Sequence, residues 1–256
     1  RWTEDVREEI HSVAKGVCVL AAGFAADEGL IAFDTTVGSV FPDVDFGEGT
    51  AEVTLRQLLS MSSGVDFPWS PTLLSDWPDL ALEFLSRPSR GRVFQYSNAS
   101  TYTAMRLLET RVGDVDAYVQ RKLFAPLGMH GISWDRCPLG FVAAGEGVAL
   151  RTEEMADIGR LIRDRGRWNG AQLLSPEWVD AMHSDWVTAG VNPGYSRYAL
   201  AGWDGPGAAW RLHGAHGQLL IFAGDAVVTI TAHDHAGADR LAVSVVAILT
   251  DSDPDH

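Results

Sequence analysis

The sequence predicts an α/β (α+β) fold: an antiparallel sheet, flanked by helices, packed on a mostly helical subdomain. Three observations carry this expectation. Apolar residues between Ser12 and Phe124 recur with helical spacing between recognisable caps and stops. After Tyr195 the texture changes to short apolar runs separated by Gly-Pro-Gly and Gly-Asp turns, the pattern of an antiparallel meander. A chain of 256 residues, 46% apolar, is long enough for one large domain or two intimately packed parts. We therefore expect one unit over 1–256, with a mostly helical subdomain at 12–139 and a sheet-plus-helix subdomain at 140–256.

Each element has its own signal. Ser12 to Glu28 reads as a helix apolar nearly all round, hence central, with Gly29 as its stop. Ile31 to Pro42 reads as a connecting loop, and Thr54-Leu-Arg-Gln57 as a capping box opening a short helix that ends near Gly64. Leu80 to Leu85, Ser100 to Val112 and Ala117 to Phe124 have further helical spacing, the last stopping before Pro126. Thr152 to Arg165 is expected to be helical, with Glu153 and Glu154 where the helix dipole favours acids. Ser175-Pro176-Glu177 opens another helix. Strands are expected at Tyr198 to Trp203, Ala209 to Leu212, Gln218 to Ala223 and Ala226 to Ala232; Arg240 to Leu249 fits strand or helix, and Asp251 to His256 reads as a frayed tail.

Composition excludes several function classes. A formal charge of −14 leaves no basic stripe for nucleic-acid phosphate and disfavours anionic membrane surfaces. The longest apolar run, Gly16 to Ala26, is too short to span a bilayer, which takes roughly 20 residues. Cys18 and Cys137 allow at most one disulfide and have no metal-type spacing, and Cys18 reads as a small core residue. No cofactor and no metal are expected. The compartment stays open, the cytoplasm slightly favoured over periplasm or secretion.

One residue stands out against this background. Only Lys15 and Lys122 among the 20 basic residues are lysines, so the chain uses arginine wherever a charge alone is needed. An amine, unlike a guanidinium, can lose its proton in a protein interior. Lys15 sits at the mouth of an apolar helix three residues after Ser12, on the same helical face, so the two side chains can meet. A neutral Lys15 could then take the Ser12 proton while the Ser12 N–H holds an oxyanion. The plainer alternative is a lysine laying its stem along the helix with its amine in water.

Two further stretches could complete such a site. Tyr96-Ser97-Asn98 offers a phenol to share a proton with Lys15 and an amide to orient Lys15 or a substrate carbonyl; the plainer alternative is a buried tyrosine and an asparagine that caps the next helix. Asn98-Ala-Ser100 is also a formal glycosylation sequon. Leu212-His213-Gly214-Ala215-His216-Gly217-Gln218 lies at a strand junction, where Gly214 lets the strand edge approach a substrate and the Ala215 N–H could be the second oxyanion donor. Either His213 or His216 could contact substrate, the alternative being a histidine packed under the sheet.

Together these motifs resemble the serine β-lactamase, DD-peptidase and class C-related esterase superfamily, with its Ser-x-x-Lys, Tyr-x-Asn and Lys/His-Thr-Gly-like elements. The context is similar too, in "HSVAKGVCVLAAGFAADEGLIAFDTTVGSVFPD", "VTLRQLLSMSSGVDF", "FQYSNASTYTAMRLLE", "LFAPLGM" and "RTEEMADIGRLIRDRGRW". Within the superfamily "GAHGQ" most resembles the nylon-oligomer (6-aminohexanoate-dimer) hydrolase branch. The resemblance implies a β-lactamase/transpeptidase-like fold with the site between sheet and helical parts. It also implies a serine hydrolase acting on a small-molecule ester or amide through an acyl-enzyme. Catalysis would fall to Ser12, Lys15 and Tyr96, and substrate binding to Asn98, His213, Gly214, Ala215 and His216.

There are two departures. Leu212-His213-Gly214 replaces Lys-Thr-Gly, removing the cation that grips a β-lactam carboxylate and arguing against robust β-lactamase activity. The chain also starts almost at the nucleophile, where family members carry a strand-forming upstream segment; a homo-oligomer or an N-terminal segment outside this chain is expected to complete the sheet. The competing reading is a catalytically silent, penicillin-binding-like ligand-binding module. A metal hydrolase using His213, His216 and His233-Asp234-His235 lacks any HExxH-type spacing, and an α/β-hydrolase lacks its Gly-x-Ser-x-Gly elbow. Trp69, Trp203 and Trp210 could line a cleft for an apolar acyl group, with ordinary packing the safer reading for each.

Overall fold

The computed structural model describes residues 6–67, 79–191 and 195–251. Trp69 and the tail beyond Asp251 lie outside them.

Helix α1 (Ala14–Asp27) runs through the middle of the molecule, and every residue from Ala14 to Ala25 is buried. A helix with no polar face can be stable only when covered on all sides, which explains its all-round apolar sequence. The expected start at Ser12 is a 3-10 turn, His11–Val13, and the chain leaves the helix through Gly29 at φ 70°. The stretch expected as a plain loop contains a one-turn helix, α2 (Val37–Val40), capped by Thr36. The Thr54 capping box opens α3 (Leu55–Leu59) as anticipated, and α4 (Leu80–Leu85) has the expected bounds. Helix α5 (Asn98–Val112) packs on α1, α3 and α4. It is followed by α6 (Val115–Val119), which continues as a π turn, Gln120–Phe124, ahead of Pro126.

Two short strands that sequence periodicity does not reveal, β1 (Glu8–Glu9) and β2 (Ala149–Leu150), pair antiparallel, and β1 leads into the 3-10 turn His11–Val13. Helix α7 (Thr152–Arg163) follows, then the hairpin β3 (Arg167–Trp168) and β4 (Ala171–Gln172), and helix α8 (Pro176–Asp180). The main sheet is a consecutive antiparallel meander of β5 (Val187–Thr188), β6 (Arg197–Tyr198), β7 (Trp203–Asp204), β8 (Trp210–Gly214), β9 (Gln218–Ala223) and β10 (Ala226–Ile230). One strand was expected over Tyr198 to Trp203, whereas the chain turns there, with Ala201 at φ 59° and Gly202 against the Met182 carbonyl. The ambiguous C-terminal segment is helix α9 (His235–Asp251).

Strand alternation sorts the sheet residues onto two faces. Trp210, Leu212, Leu220 and Phe222 belong to the main core with α1 and α7. Leu219, Ile221 and Ala223 join a smaller cluster under α9 with Ala238, Ala242 and Val246. Gly159 lets α7 approach the sheet, because a Cβ there would stand 2.8 Å from Val227 Cγ2. Cys18 and Cys137 are both free. No helix among the described residues is long and apolar enough to cross a membrane.

Candidate active site

The nucleophile candidate lies in the 3-10 turn that feeds α1. His11 holds a left-handed backbone at φ 47°, a strained conformation for a non-glycine residue, and so turns the chain from β1 into the helix. Ser12 is half-buried in that turn, where backbone N–H groups have no intrahelical carbonyl to meet. Lys15, only 2% exposed, reaches back one turn so that Nζ lies 2.9 Å from Ser12 Oγ. Nζ also donates to Asn98 Oδ1 at 2.7 Å and to the Gly145 carbonyl at 3.0 Å. Neither acceptor can donate in return. Two N–H directions are therefore fixed, and the third tetrahedral direction points at the serine hydroxyl, where either an N–H or a lone pair can sit. The alternative of an amine reaching water does not hold for Lys15.

Asn98 is free for this contact because Ser97 does the capping. The Ser97 hydroxyl accepts from the Ala99 N–H at 3.1 Å, so the first helical residue, Asn98, turns its amide inward. Asn98 Nδ2 points to Glu146 Oε2 at 3.4 Å, which fixes which end faces the lysine. Tyr96 enters from a segment tied to the turn after α3, where the Gln95 N–H donates to the Met61 carbonyl at 2.8 Å. Its ring centroid lies 5.1 Å from Lys15 Nζ, stacked at 5.7 Å on Trp203 and edge-on at 5.9 Å to Tyr198. Among the described residues no hydrogen bond joins the Tyr96 hydroxyl to Ser12 or Lys15, so their contact is through the ring face.

The end of β8 closes the other side. A Cβ on Gly214 would stand 2.3 Å from the Ile10 carbonyl, so only glycine lets this strand come so near the turn that carries Ser12. Ala215 and His216 follow, both exposed, with His216 at φ 60° and its ring 5.0 Å from that of His11. His213, expected as a possible substrate contact, is not brought to Ser12 but lies beside Tyr195 and Asp239. Strand alternation turns it to the α9 face, where its Nε2 meets the Tyr195 hydroxyl at 3.1 Å. Burial, reinforced by Arg211, pushes this imidazole down to about 4, with Asp239 opposing. Leu212, where the family places a cation, is 1% exposed and packs on Gly16. Trp203 borders Tyr96, whereas Trp210 is core, stacked 4.1 Å from Phe222.

Sequence reasoning missed the loop Ala144-Gly145-Glu146. It supplies the Gly145 carbonyl to Lys15, the Ala144 carbonyl to Cys18 Sγ at 3.3 Å, and the Glu146 carboxylate to Asn98. Burial pushes the Cys18 thiol up, in keeping with a core role. A Cβ on Gly145 would lie 2.8 Å from both Nζ and Asn98 Oδ1. The signal present was Gly-Glu-Gly at 145–147 amid apolar residues, too short to interpret without knowing what faces it.

The arrangement is a turn-borne serine, a buried lysine one turn on and an antiparallel sheet against a central helix. The Beta-lactamase family model matches residues 1–255, and the chain belongs to that family. No curated protein sequence matches the chain. Solved structures with the same fold include a Bacillus anthracis protein named as a 6-aminohexanoate-dimer hydrolase, with TM-score 0.76 and 20% identity over 98% of this chain and 75% of that one. The D-amino acid amidase of Ochrobactrum anthropi SV3 has TM-score 0.74 and 16% identity, covering 98% and 87%. Simvastatin synthase of Aspergillus terreus has TM-score 0.69 and 16% identity, covering 98% and 86%.

Proposed function

We propose that the protein is a serine hydrolase that cleaves an amide or ester bond of a small molecule through an acyl-enzyme. The observation that carries this reading is the Lys15 amine, buried 2.9 Å from Ser12 Oγ with its other two directions committed to pure acceptors. None of its three hydrogen-bond partners is charged, so the amine is held by geometry and not by a counter-ion. Lys15 accepts the Ser12 proton as Oγ attacks the carbonyl carbon, and the Ser12 and Ala215 N–H groups receive the developing oxyanion. Tyr96 donates the proton to the leaving group. Lys15 then passes the Ser12 proton to the Tyr96 phenolate; water attacks the acyl carbonyl on Ser12, Lys15 takes a proton from that water, and the proton returns to Ser12 Oγ as the ester C–O bond breaks. Asn98 orients Lys15, and His216, exposed beside His11, is placed to contact the substrate.

Leu212 argues for a substrate without a carboxylate beside the scissile bond. Trp203, partly exposed and stacked on Tyr96, favours an apolar acyl or leaving group. Of the related-protein names, the dimer hydrolase and the amidase point the same way. The test is labelling by a fluorophosphonate probe together with turnover of short-chain p-nitrophenyl esters, a linear amide dimer and a chromogenic cephalosporin. Labelling and ester or amide turnover that vanish in Ser12→Ala and Lys15→Ala support the assignment. Equal labelling in either variant overturns it, and ligand-induced stabilisation with no product from any substrate would leave the silent binding module.

A further inference from the structure

The far face of the sheet carries a cluster that the proposed reaction does not use. Strand β8 turns His213 toward α9, which supplies His235 at its first residue and Asp239 one turn later. His213 Nε2 lies 3.7 Å from Asp239 Oδ1, and His235 Nε2 lies 3.6 Å from Asp239 Oδ2. The three ligand atoms all fall within 4.8 Å of one another. Both N···O separations are too long for hydrogen bonds. They suit donors sharing one cation, since tetrahedral bonds of about 2.0–2.1 Å put ligand atoms roughly 3.4 Å apart. We propose that His213, His235 and Asp239 form a binding site for a divalent transition ion of the Zn²⁺ type, bridging β8 and α9.

The donor chemistry selects the ion. Two imidazoles and one carboxylate suit zinc and its neighbours, whereas Mg²⁺ and Ca²⁺ favour all-oxygen shells. The carboxylate is already oriented by outer partners: the Tyr195 hydroxyl donates to Asp239 Oδ2 at 2.8 Å, and Arg211 Nη1 donates to Oδ1 at 3.1 Å. Tyr195 also meets His213 Nε2 at 3.1 Å. Metal binding exchanges that bond for an Nε2–metal bond while the phenol keeps its donated bond to Asp239. A cavity of about 130 Å³ lined by Tyr195, Arg211 and Asp239 adjoins the cluster and has room for a water or small anion as fourth ligand. Arg211 repels the cation, so the site is expected to bind more weakly than a closed structural zinc centre.

Such a bridge would act where packing is thin. The apolar cluster under α9 is small, and Leu241, Val243 and Ile248 of this helix are half or more exposed. Tying the first turn of α9 to β8 therefore raises the resistance of this face of the sheet to opening. The ion lies across the sheet from Ser12, so its role is structural and independent of the hydrolytic reading.

The test is thermal denaturation and calorimetric titration of the chelator-treated full chain with ZnCl₂, and with MgCl₂ as control. His235 is 51% exposed, so His235→Ala leaves the fold intact. The expected result is one Zn²⁺ per chain and a melting temperature raised by Zn²⁺ but not Mg²⁺, with at least a tenfold loss of affinity and loss of the stabilisation in His235→Ala and Asp239→Asn. The variant comparison is needed because other histidines, His11 and His216 with rings 5.0 Å apart among them, can take up zinc weakly. No Zn²⁺-dependent stabilisation of the wild type, or equal stabilisation of wild type and His235→Ala, overturns the proposal.

Discussion

Asn98 accepts a hydrogen bond from Lys15 Nζ at 2.7 Å although it is the first residue of a helix, because its neighbour Ser97 caps that helix instead. The division of labour between two adjacent polar residues separates folding from chemistry. Asn98→Ala should lower kcat/KM for a p-nitrophenyl ester by about 10²-fold, the effect of about 2–3 kcal/mol lost at a buried, charge-adjacent hydrogen bond. Its melting temperature should fall far less than that of Ser97→Ala, which loses the cap. Comparable melting losses with unchanged kinetics in Asn98→Ala would contradict this division.

Gly145 limits the position of the lysine from the side opposite Ser12. An alanine there would place a methyl 2.8 Å from both Lys15 Nζ and Asn98 Oδ1, so the amine has to leave its place. Gly145→Ala should abolish fluorophosphonate labelling almost as completely as Lys15→Ala, while Gly190→Ala, whose Cβ meets nothing nearer than 3.7 Å, should label like the wild type. Circular dichroism on all three would establish that they are folded.

Leu212 cannot simply be returned to the family's cation. It is buried against Gly16 on the α1 face, so an ammonium there would have no partner and no water. Leu212→Lys should cost about 3 kcal/mol or more in urea unfolding and confer no cephalosporin hydrolysis.

Acid stability should depend on Glu154. Burial raises its affinity for a proton, but the hydrogen bonds from Arg7 and from the Arg151 N–H outweigh that and hold its carboxyl below the usual value of 4.5. A depressed carboxyl contributes stability that is fully present above its unfolded value and is lost as pH falls through the folded one. The melting temperature of the wild type should therefore drop more steeply than that of Glu154→Gln between about pH 5 and pH 3. Parallel curves would show that the Arg7–Glu154 pair is not linked to folding.

Much of the site was legible because it is local. Ser12 and Lys15 are one helical turn apart, and a composition that reserves arginine for ordinary charge marks the lysine on its own. The capping box at Thr54, the meander after Tyr195 and the all-round apolar α1 follow from periods of 3.6 and 2 that a sequence displays directly. The strands β1 and β2 did not, since two residues carry no period and their pairing spans about 140 positions.

The sequence by itself determined the central helix, the serine–lysine pair and the glycine-bearing strand end that approaches it. Only the tertiary structure decided that Gly145 and Asn98 hold the amine, that Tyr96 meets it through its ring, and that His213 faces α9. Periodicity says that neighbours on a strand alternate, but not which face receives the core. That choice is made by packing, where Leu212 fits against the bare surface of Gly16 and leaves His213 to the other side.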